Sequence, residues 1–335
     1  MDIYNSMQTI ALIQSISNQG IQQMEKEQNL RSQKLGWIGT GRMGFAMAKR
    51  LLEAGCDTSA YNRTRTKAEP LATLGARIVD TPAELSDRDI VFTMVSGPDD
   101  LFSVICGDHG VLAGSATPKL LIDCSSVSEE GSQRVRDALK ERGCNMLSAP
   151  VSGNAKVIQA GRLTVVASGP KSAFDLARQY LEVIGEGVTY VGTGELARMV
   201  KICHNVLLGV VTQSLAEITV LAEKGGVSRH ALLDFINNSV MGSMFTRYKT
   251  PAFVNLDWTP TFTPSLLRKD MDLGLAAAER LGASMPIAAA TRELVQQAID
   301  AGHTDCDFGI LLELQAEASG MHLESENIEV DDGLS

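Results

Sequence analysis

Apolar and polar positions change their rhythm once along this 335-residue chain, after Gly194. Up to that point, short apolar runs alternate with helix-forming stretches. Leu35–Ile38, Thr58–Asn62, DIVFTMVSG (89–97) and KLLIDCSSV (119–127) read as strands, and RLTVVASG (162–169) and VTYVG (188–192) extend the same sheet. Phe45–Ala54 reads as a helix closed by Gly55. Beyond Gly194 the strand signals stop. Helical periodicity covers roughly 195–224, 228–238, 264–281, 286–301 and 307–319, with breaks at EKGGVS and LGASMP. A strand-rich half followed by a helical half predicts an α/β domain over 34–193 and an all-α domain over 194–320, joined by a long helix. Residues 1–33, rich in Gln, Asn and Ser, are expected to be an extension outside the fold. Residues 321–335 are expected to be a frayed acidic tail.

The first helix follows a glycine turn. Gly39-Thr40-Gly41-Arg42-Met43-Gly44 is G-x-G-x-x-G set between a strand and a helix. In that place the first two glycines allow a tight turn and close backbone approach to a pyrophosphate, and the third lets helix and strand pack. The helix N-terminus then faces the phosphates. The α/β half is therefore expected to be a Rossmann-type dinucleotide-binding domain. At the end of the second strand, where NAD enzymes usually place an acid for the ribose 2′-hydroxyl, stand Asn62, Arg63 and Thr64, with Arg65 and Lys67 beyond. Guanidinium and hydroxyl groups suit a 2′-phosphate, so NADP(H) is expected over NAD(H). Ser96, Ser125 and Ser126 end later strands and are candidates for the crevice edge, although serines there also serve as turn formers.

KICHNVLLGVVTQ (201–213) raises a separate question. Between Met199 and Ala216, Lys201 is the one residue certain to be charged at pH 7. On a helix, Lys201, Asn205 and Thr212 share a stripe, with His204 beside them. That stripe is either a solvent face or a functional one. The surrounding circumference is mostly apolar, the reverse of a surface helix, and the helix starts at the domain junction, where ligand clefts are favoured. The functional reading is the stronger.

Composition narrows the partners. A formal charge of −10 disfavours nucleic acid and anionic membranes, and no run approaches the ~18 apolar residues of a membrane span. The six cysteines are scattered without CxxC or ligand spacing, which fits a reducing, cytoplasmic setting and gives no metal site.

Four motifs in order, GWIGTGRMGFAMAKRLLEAG, DCSSVS, APVSGNAKVIQAGRLTVVASG and KICHNVLLG, resemble the β-hydroxyacid dehydrogenase family, typified by 3-hydroxyisobutyrate dehydrogenase. The likeness runs from about Leu35 to Gly320, with LLRKDMDLGLAAA (266–278) in support. It implies Lys201 as the catalytic lysine with Asn205 one turn on, and Ser152, Gly153 and Asn154 as the substrate-carboxylate loop. It also implies Lys269, followed by Asp270, near the nicotinamide, with Val95, Ser96 and Ser125 or Ser126 on the cofactor side. The Asn-Arg-Thr after strand two resembles the family's NADP(H)-using semialdehyde reductases. A homodimer or homotetramer acting on a small carboxylate-bearing alcohol or semialdehyde is implied, with no metal. Three positions depart from the family pattern: Ser148 for an acid, Asn154 for a glycine, and His204 for an asparagine. His204 reads as a second polar contact or a packing histidine. Met241, Ser243, Met244 and Phe245 read equally as pocket or core. The competing readings are an imine reductase, which typically replaces the lysine, and an NADPH-binding scaffold without turnover. A 6-phosphogluconate dehydrogenase shares the type of helical domain, but its version is much longer than the chain left here.

Overall fold

Strand β1 (Leu35–Ile38) is buried at every position, as a strand covered on both faces must be. It lies in a six-stranded sheet with β2 (Thr58–Tyr61), β3 (Arg77–Ile78), β4 (Ile90–Thr93), β5 (Leu120–Asp123) and β6 (Asn145–Ser148), in the order β3-β2-β1-β4-β5-β6. Every pairing is parallel, and the helices α1 (Arg42–Glu53), α2 (Pro98–Cys106) and α3 (Glu129–Glu141) make the crossovers. This is the doubly wound Rossmann order, whose ligand crevice opens where the winding reverses, between β1 and β4. Trp37 stacks on Phe92 at 5.4 Å between ring centroids, pinning those two strands together.

In this computed structural model, Gln28 and residues 30–334 are described. They divide into two compact units. One holds the described residues through Ser152 together with Gly161–Arg198; the other holds Gly153–Ala160 and the chain from Met199 onward. The reading of residues 1–33 falls mostly outside the described residues. Its last part is inside the first unit, because Leu30 is 5% exposed.

One expectation about the sheet is overturned. The segments at 162–169 and 188–192 do not extend the main sheet. Strands β7 (Val151–Ser152), β8 (Thr164–Ala167) and β9 (Gly187–Tyr190) form a separate three-stranded sheet, with β7 antiparallel to β8. Pro150, which has no N–H to give a ladder, interrupts the chain between β6 and β7. Among the described residues, Ser148 and Ser168 bridge the two sheets, exchanging backbone bonds of 2.9 and 2.8 Å.

The second unit is helical: α4 (Ala155–Gln159), most of α6 (Leu196–Lys224), α7 (Arg229–Asn238), α8 (Met244–Asn255), α9 (Pro264–Leu281), α10 (Pro286–Asp300) and α11 (Leu311–Ala318); α5 (Lys171–Ile184) belongs to the first. Helix α8 is absent from the sequence reading. Phe245, near its start, packs on Phe308 in the core, whereas Met241 is exposed. Contrary to the expectation that no segment approaches a membrane span, helix α6 is long and apolar enough to cross one by length and composition, because its few charges are widely spaced; half of its most apolar window is buried within the protein.

The acidic tail is not frayed through its length. Leu323 is buried, and Glu326 accepts the backbone N–H groups of Arg229 and His230 at 2.7 and 3.1 Å, capping α7. The Arg229 guanidinium, itself buried, binds Glu223 and donates to the carbonyls of Phe253, Val254 and Glu324.

Candidate functional site

In the Rossmann unit the glycine turn is sterically obligatory. Gly39 has φ +95°, and a Cβ there would lie 2.2 Å from the Met94 carbonyl oxygen; one on Gly44 would lie 2.0 Å from the Gly39 oxygen. Gly41 differs: nothing stands within 4 Å of its missing Cβ. It is the N-cap of α1, provides no side-chain cap, and the first turn holds no acid. The amides of Arg42 and Met43 thus begin a helix N-terminus open to an anion. Thr40 Oγ1 is buried without a hydrogen-bond partner, a second polar group awaiting one at the same turn. These features fit a dinucleotide pyrophosphate.

Asn62 does structural duty beside the turn. Its Oδ1 accepts the Thr40 N–H at 2.8 Å and its Nδ2 donates to the Thr64 carbonyl at 2.8 Å. It holds the loop in shape and brings no negative charge. Arg63 is exposed and pairs with Asp100 at 3.0 Å, an exposed contact that a phosphate can displace cheaply. On the other side of the crevice, Ser125 is fully buried and its Oγ accepts the Val95 N–H at 2.9 Å. Ser125 therefore braces the Val95–Ser96 loop from behind, while Ser126 is half-buried.

In the helical unit the stripe on α6 turns inward from Asn205 to Thr212. Asn205 and Thr212 are buried, Lys201 is half-buried and His204 is exposed, so the stripe is not a uniform solvent face. Small residues allow this: a Cβ on Gly274 would meet Val206 Cγ2 at 2.3 Å, and one on Gly209 would meet Met271 Sδ at 3.0 Å. Helices α6 and α9 consequently approach closely, and Asn205 Nδ2 donates to Asp270 Oδ2 at 2.6 Å. Asn205 Oδ1 in turn lies 2.9 Å from His204 Nδ1, and Lys269 Nζ is 3.5 Å from Asp270 Oδ1. His204 is thus a histidine with a polar partner on its immediate neighbour.

Lys201 stands beside this chain of groups. Burial pulls its pKa from 10.5 down to about 8, assisted by the positive charge of Lys269 and opposed by the Asp270 carboxylate. Burial, then the Lys201 charge, also lowers the pKa of His204, so its ring is neutral near pH 7. Asp270 is what the sequence reading underweighted. A buried acid directly after a lysine on a helix with apolar neighbours was the available signal. Gly153 and Asn154 group with this unit, and Ser152 with the sheet. Gly153 has φ +135°. Asn154 accepts the Val157 N–H at 3.1 Å as the N-cap of α4, so its carbonyl oxygen is engaged locally. Among the described residues no group of three or more His, Cys, Asp or Glu side chains could hold a metal.

The chain is similar to known proteins along most of its length. Residues 34–192 match the family described as the NAD binding domain of 6-phosphogluconate dehydrogenase, and residues 194–314 match that described as NAD-binding of NADP-dependent 3-hydroxyisobutyrate dehydrogenase. Glyoxylate/succinic semialdehyde reductase 2 of Arabidopsis thaliana is 32% identical over 280 residues, covering 83% of this chain and 78% of that protein. Glyoxylate/succinic semialdehyde reductase 1 of the same plant is 33% identical over 282 residues, covering 84% and 97%. A crystal structure of 3-hydroxyisobutyrate dehydrogenase from Salmonella typhimurium has a TM-score of 0.76 at 26% identity, covering 84% of this chain and 99% of its own. The chain belongs to the β-hydroxyacid dehydrogenase family, a 3-hydroxyisobutyrate dehydrogenase-like oxidoreductase close to the semialdehyde reductases.

Proposed function

We propose that this protein is an NADP(H)-dependent reductase of small carboxylate-bearing aldehydes, with Lys201 as the proton donor. The observation that carries the reading is the desolvated Lys201 ammonium, its pKa drawn down to about 8 beside a buried Asn205–Asp270 pair. NADPH supplies a hydride when bound. Gly39, Thr40, Gly41, Arg42, Met43 and Gly44 would hold its pyrophosphate, Asn62, Arg63 and Thr64 its ribose phosphate, and Val95, Ser96, Ser126 and Lys269 its nicotinamide half, with Ser125 as the brace. Reduction puts developing negative charge on the carbonyl oxygen, and Lys201 would deliver a proton to that atom. Before that transfer the ammonium polarises the carbonyl. Asn205, fixed by Asp270 and His204, can hold the same oxygen or a carboxylate without adding charge. Ser152, Gly153 and Asn154 would receive the carboxylate, Gly153 because it lacks a side chain that would block approach.

Glyoxylate, succinic semialdehyde, tartronate semialdehyde and methylmalonate semialdehyde are the candidate substrates. The apolar side chains that α6 leaves exposed, Leu207, Ile218 and Leu221, support assembly as a homodimer or homotetramer. The test is oxidation of NADPH and NADH against that panel, wild type beside Lys201→Ala. Turnover with NADPH that collapses in the variant while NADPH still binds supports the reading. A wild type that binds NADPH tightly and reduces none of the four overturns it.

A further inference from the structure

Helix α6 enters through a buried ionic network that the reaction above does not use. Arg198, in its first turn, has a side chain 2% exposed; Asp123, at the carboxyl end of β5, is 0% exposed and Glu195 4%. Arg198 reaches Asp123 at 2.6 Å through Nη2 and Glu195 at 2.7 Å through Nε. Its Nη1 donates to the Ser125 carbonyl at 3.0 Å. The same Asp123 accepts from the Thr93 hydroxyl at 2.7 Å and the Ser125 N–H at 3.2 Å. Glu195 is held from its other side by Arg136 at 2.5 Å and by the Ser148 hydroxyl at 3.0 Å. Two arginines face two carboxylates, so the cluster is neutral and its polar atoms are met.

Buried pairs of this kind seldom repay their desolvation as stability, and their best-attested use is to fix one arrangement among several. This network fixes a particular pair of things. On one side is the Ser125 loop, whose hydroxyl braces Val95 at the crevice edge. On the other is the start of α6, three residues and about 4.5 Å of helix rise before Lys201. A planar guanidinium is the one side chain that can bridge two carboxylates and a carbonyl in fixed directions. We propose that Arg198 is a positioning residue for the reductase reaction: by bridging Asp123, Glu195 and the Ser125 carbonyl it fixes the first turn of α6, the helix on which Lys201 follows three residues later. It touches neither substrate nor cofactor. Its effect is exerted through the helix on the proton donor and through Ser125 on the loop at the nicotinamide side.

This inference rests on the proposed reductase reading. Arg198→Lys keeps the charge and loses the three-way bridge. Asp123→Asn keeps the shape and loses one arm, and carries the test if the lysine variant does not fold. For each variant NADPH affinity and binding stoichiometry, kcat and KM for the aldehyde, and the primary isotope effect with NADPH deuterated at the transferring position are measured beside wild type. Since a misplacement of about 1 Å can cost about 100-fold, kcat per bound NADPH is expected to fall at least about tenfold. KM and NADPH affinity stay within about threefold, and the isotope effect on kcat rises as hydride transfer becomes slow. A merely structural role lowers the bound fraction and leaves the isotope effect where it was. That result, or a kcat per bound NADPH within about twofold of wild type, overturns the proposal, as does failure of both variants to bind NADPH. A wild type with no turnover on any aldehyde overturns the reductase reading itself, which separates the two failures.

Discussion

The pKa of Lys201 gives the proposed chemistry a direction in pH. Its displacement from 10.5 to about 8 makes carrying the proton about 3 kcal/mol less favourable than in water. Burial causes this, and Asp270 keeps it from falling further. With a pKa of about 8, the ammonium is about nine-tenths populated at pH 7 and about one-tenth at pH 9. Reduction needs the protonated form, so kcat/KM for the aldehyde should be level up to about pH 7.5 and then fall about tenfold per unit. Oxidation of the alcohol needs the free amine and should rise through the same midpoint. The assay is initial rate against pH in both directions, with Lys201→Arg as the control. An arginine stays protonated throughout, so its descending limb should vanish and its rate should drop by about 100-fold or more. The same displacement has a stability signature. Between pH 8 and 10.5 the unfolded chain binds more protons than the folded one, so this residue's contribution to stability improves as pH rises through that window. Below pH 8 both states are protonated and the penalty is present in full. A reduction profile that stays flat from pH 7 to 9.5, or a limb unchanged in Lys201→Arg, refutes the assignment.

Two further outcomes follow from other parts of the molecule. Arg63→Ala should weaken NADPH binding by about tenfold or more while leaving NADH nearly unchanged, with little change in melting temperature because its Asp100 partner is an exposed one; titration of each cofactor checks this, and an unchanged NADPH/NADH ratio counts against the phosphate reading. Arg229→Met removes a buried guanidinium from Glu223, Glu326 and three carbonyls, and denaturant unfolding should show a loss of about 3–5 kcal/mol; a loss under about 1 kcal/mol would mean that the tail contributes little to the helical unit.

What the sequence made legible were features whose cause is local. The turn from Gly39 to Gly44 can be read because two of its glycines meet backbone atoms only residues away or on the adjoining strand. Helices α7, α9 and α10 announce themselves through Ser228, Thr263 and the prolines at 264 and 286. Helix α8 stayed hidden because Pro251 stands inside it, and a proline within a periodic run ordinarily reads as a stop. The second sheet was misplaced because apolar strands carry no mark of which sheet they join. At the candidate site, Lys201 and Asn205 stood out by charge and spacing. The partner that fixes Asn205 lies 65 positions away on α9, a separation no local pattern reveals. Ser148 tells the same story. Its missing carboxylate looks like a loss in sequence, yet Glu195, 47 positions on, brings an acid to the serine hydroxyl and to Arg136.

Arg229 has a consequence for the order in which the protein is made. Its guanidinium sits at the root of α7, but the last carbonyl and carboxylate it binds belong to Glu324 and Glu326, almost a hundred residues later in synthesis. A ribosome delivering the chain from its N-terminus presents this arginine with Glu223 already made but long before Glu324 and Glu326 exist. Until they emerge, the arms of the guanidinium that face the tail must be met by water, and the core around them cannot close dry. The Rossmann sheet has no such wait, since β1 to β6 are all delivered by Ser148. The helical unit should therefore remain sensitive to proteases on nascent chains that stop short of Glu324, and become resistant once Glu324 and Glu326 have been delivered.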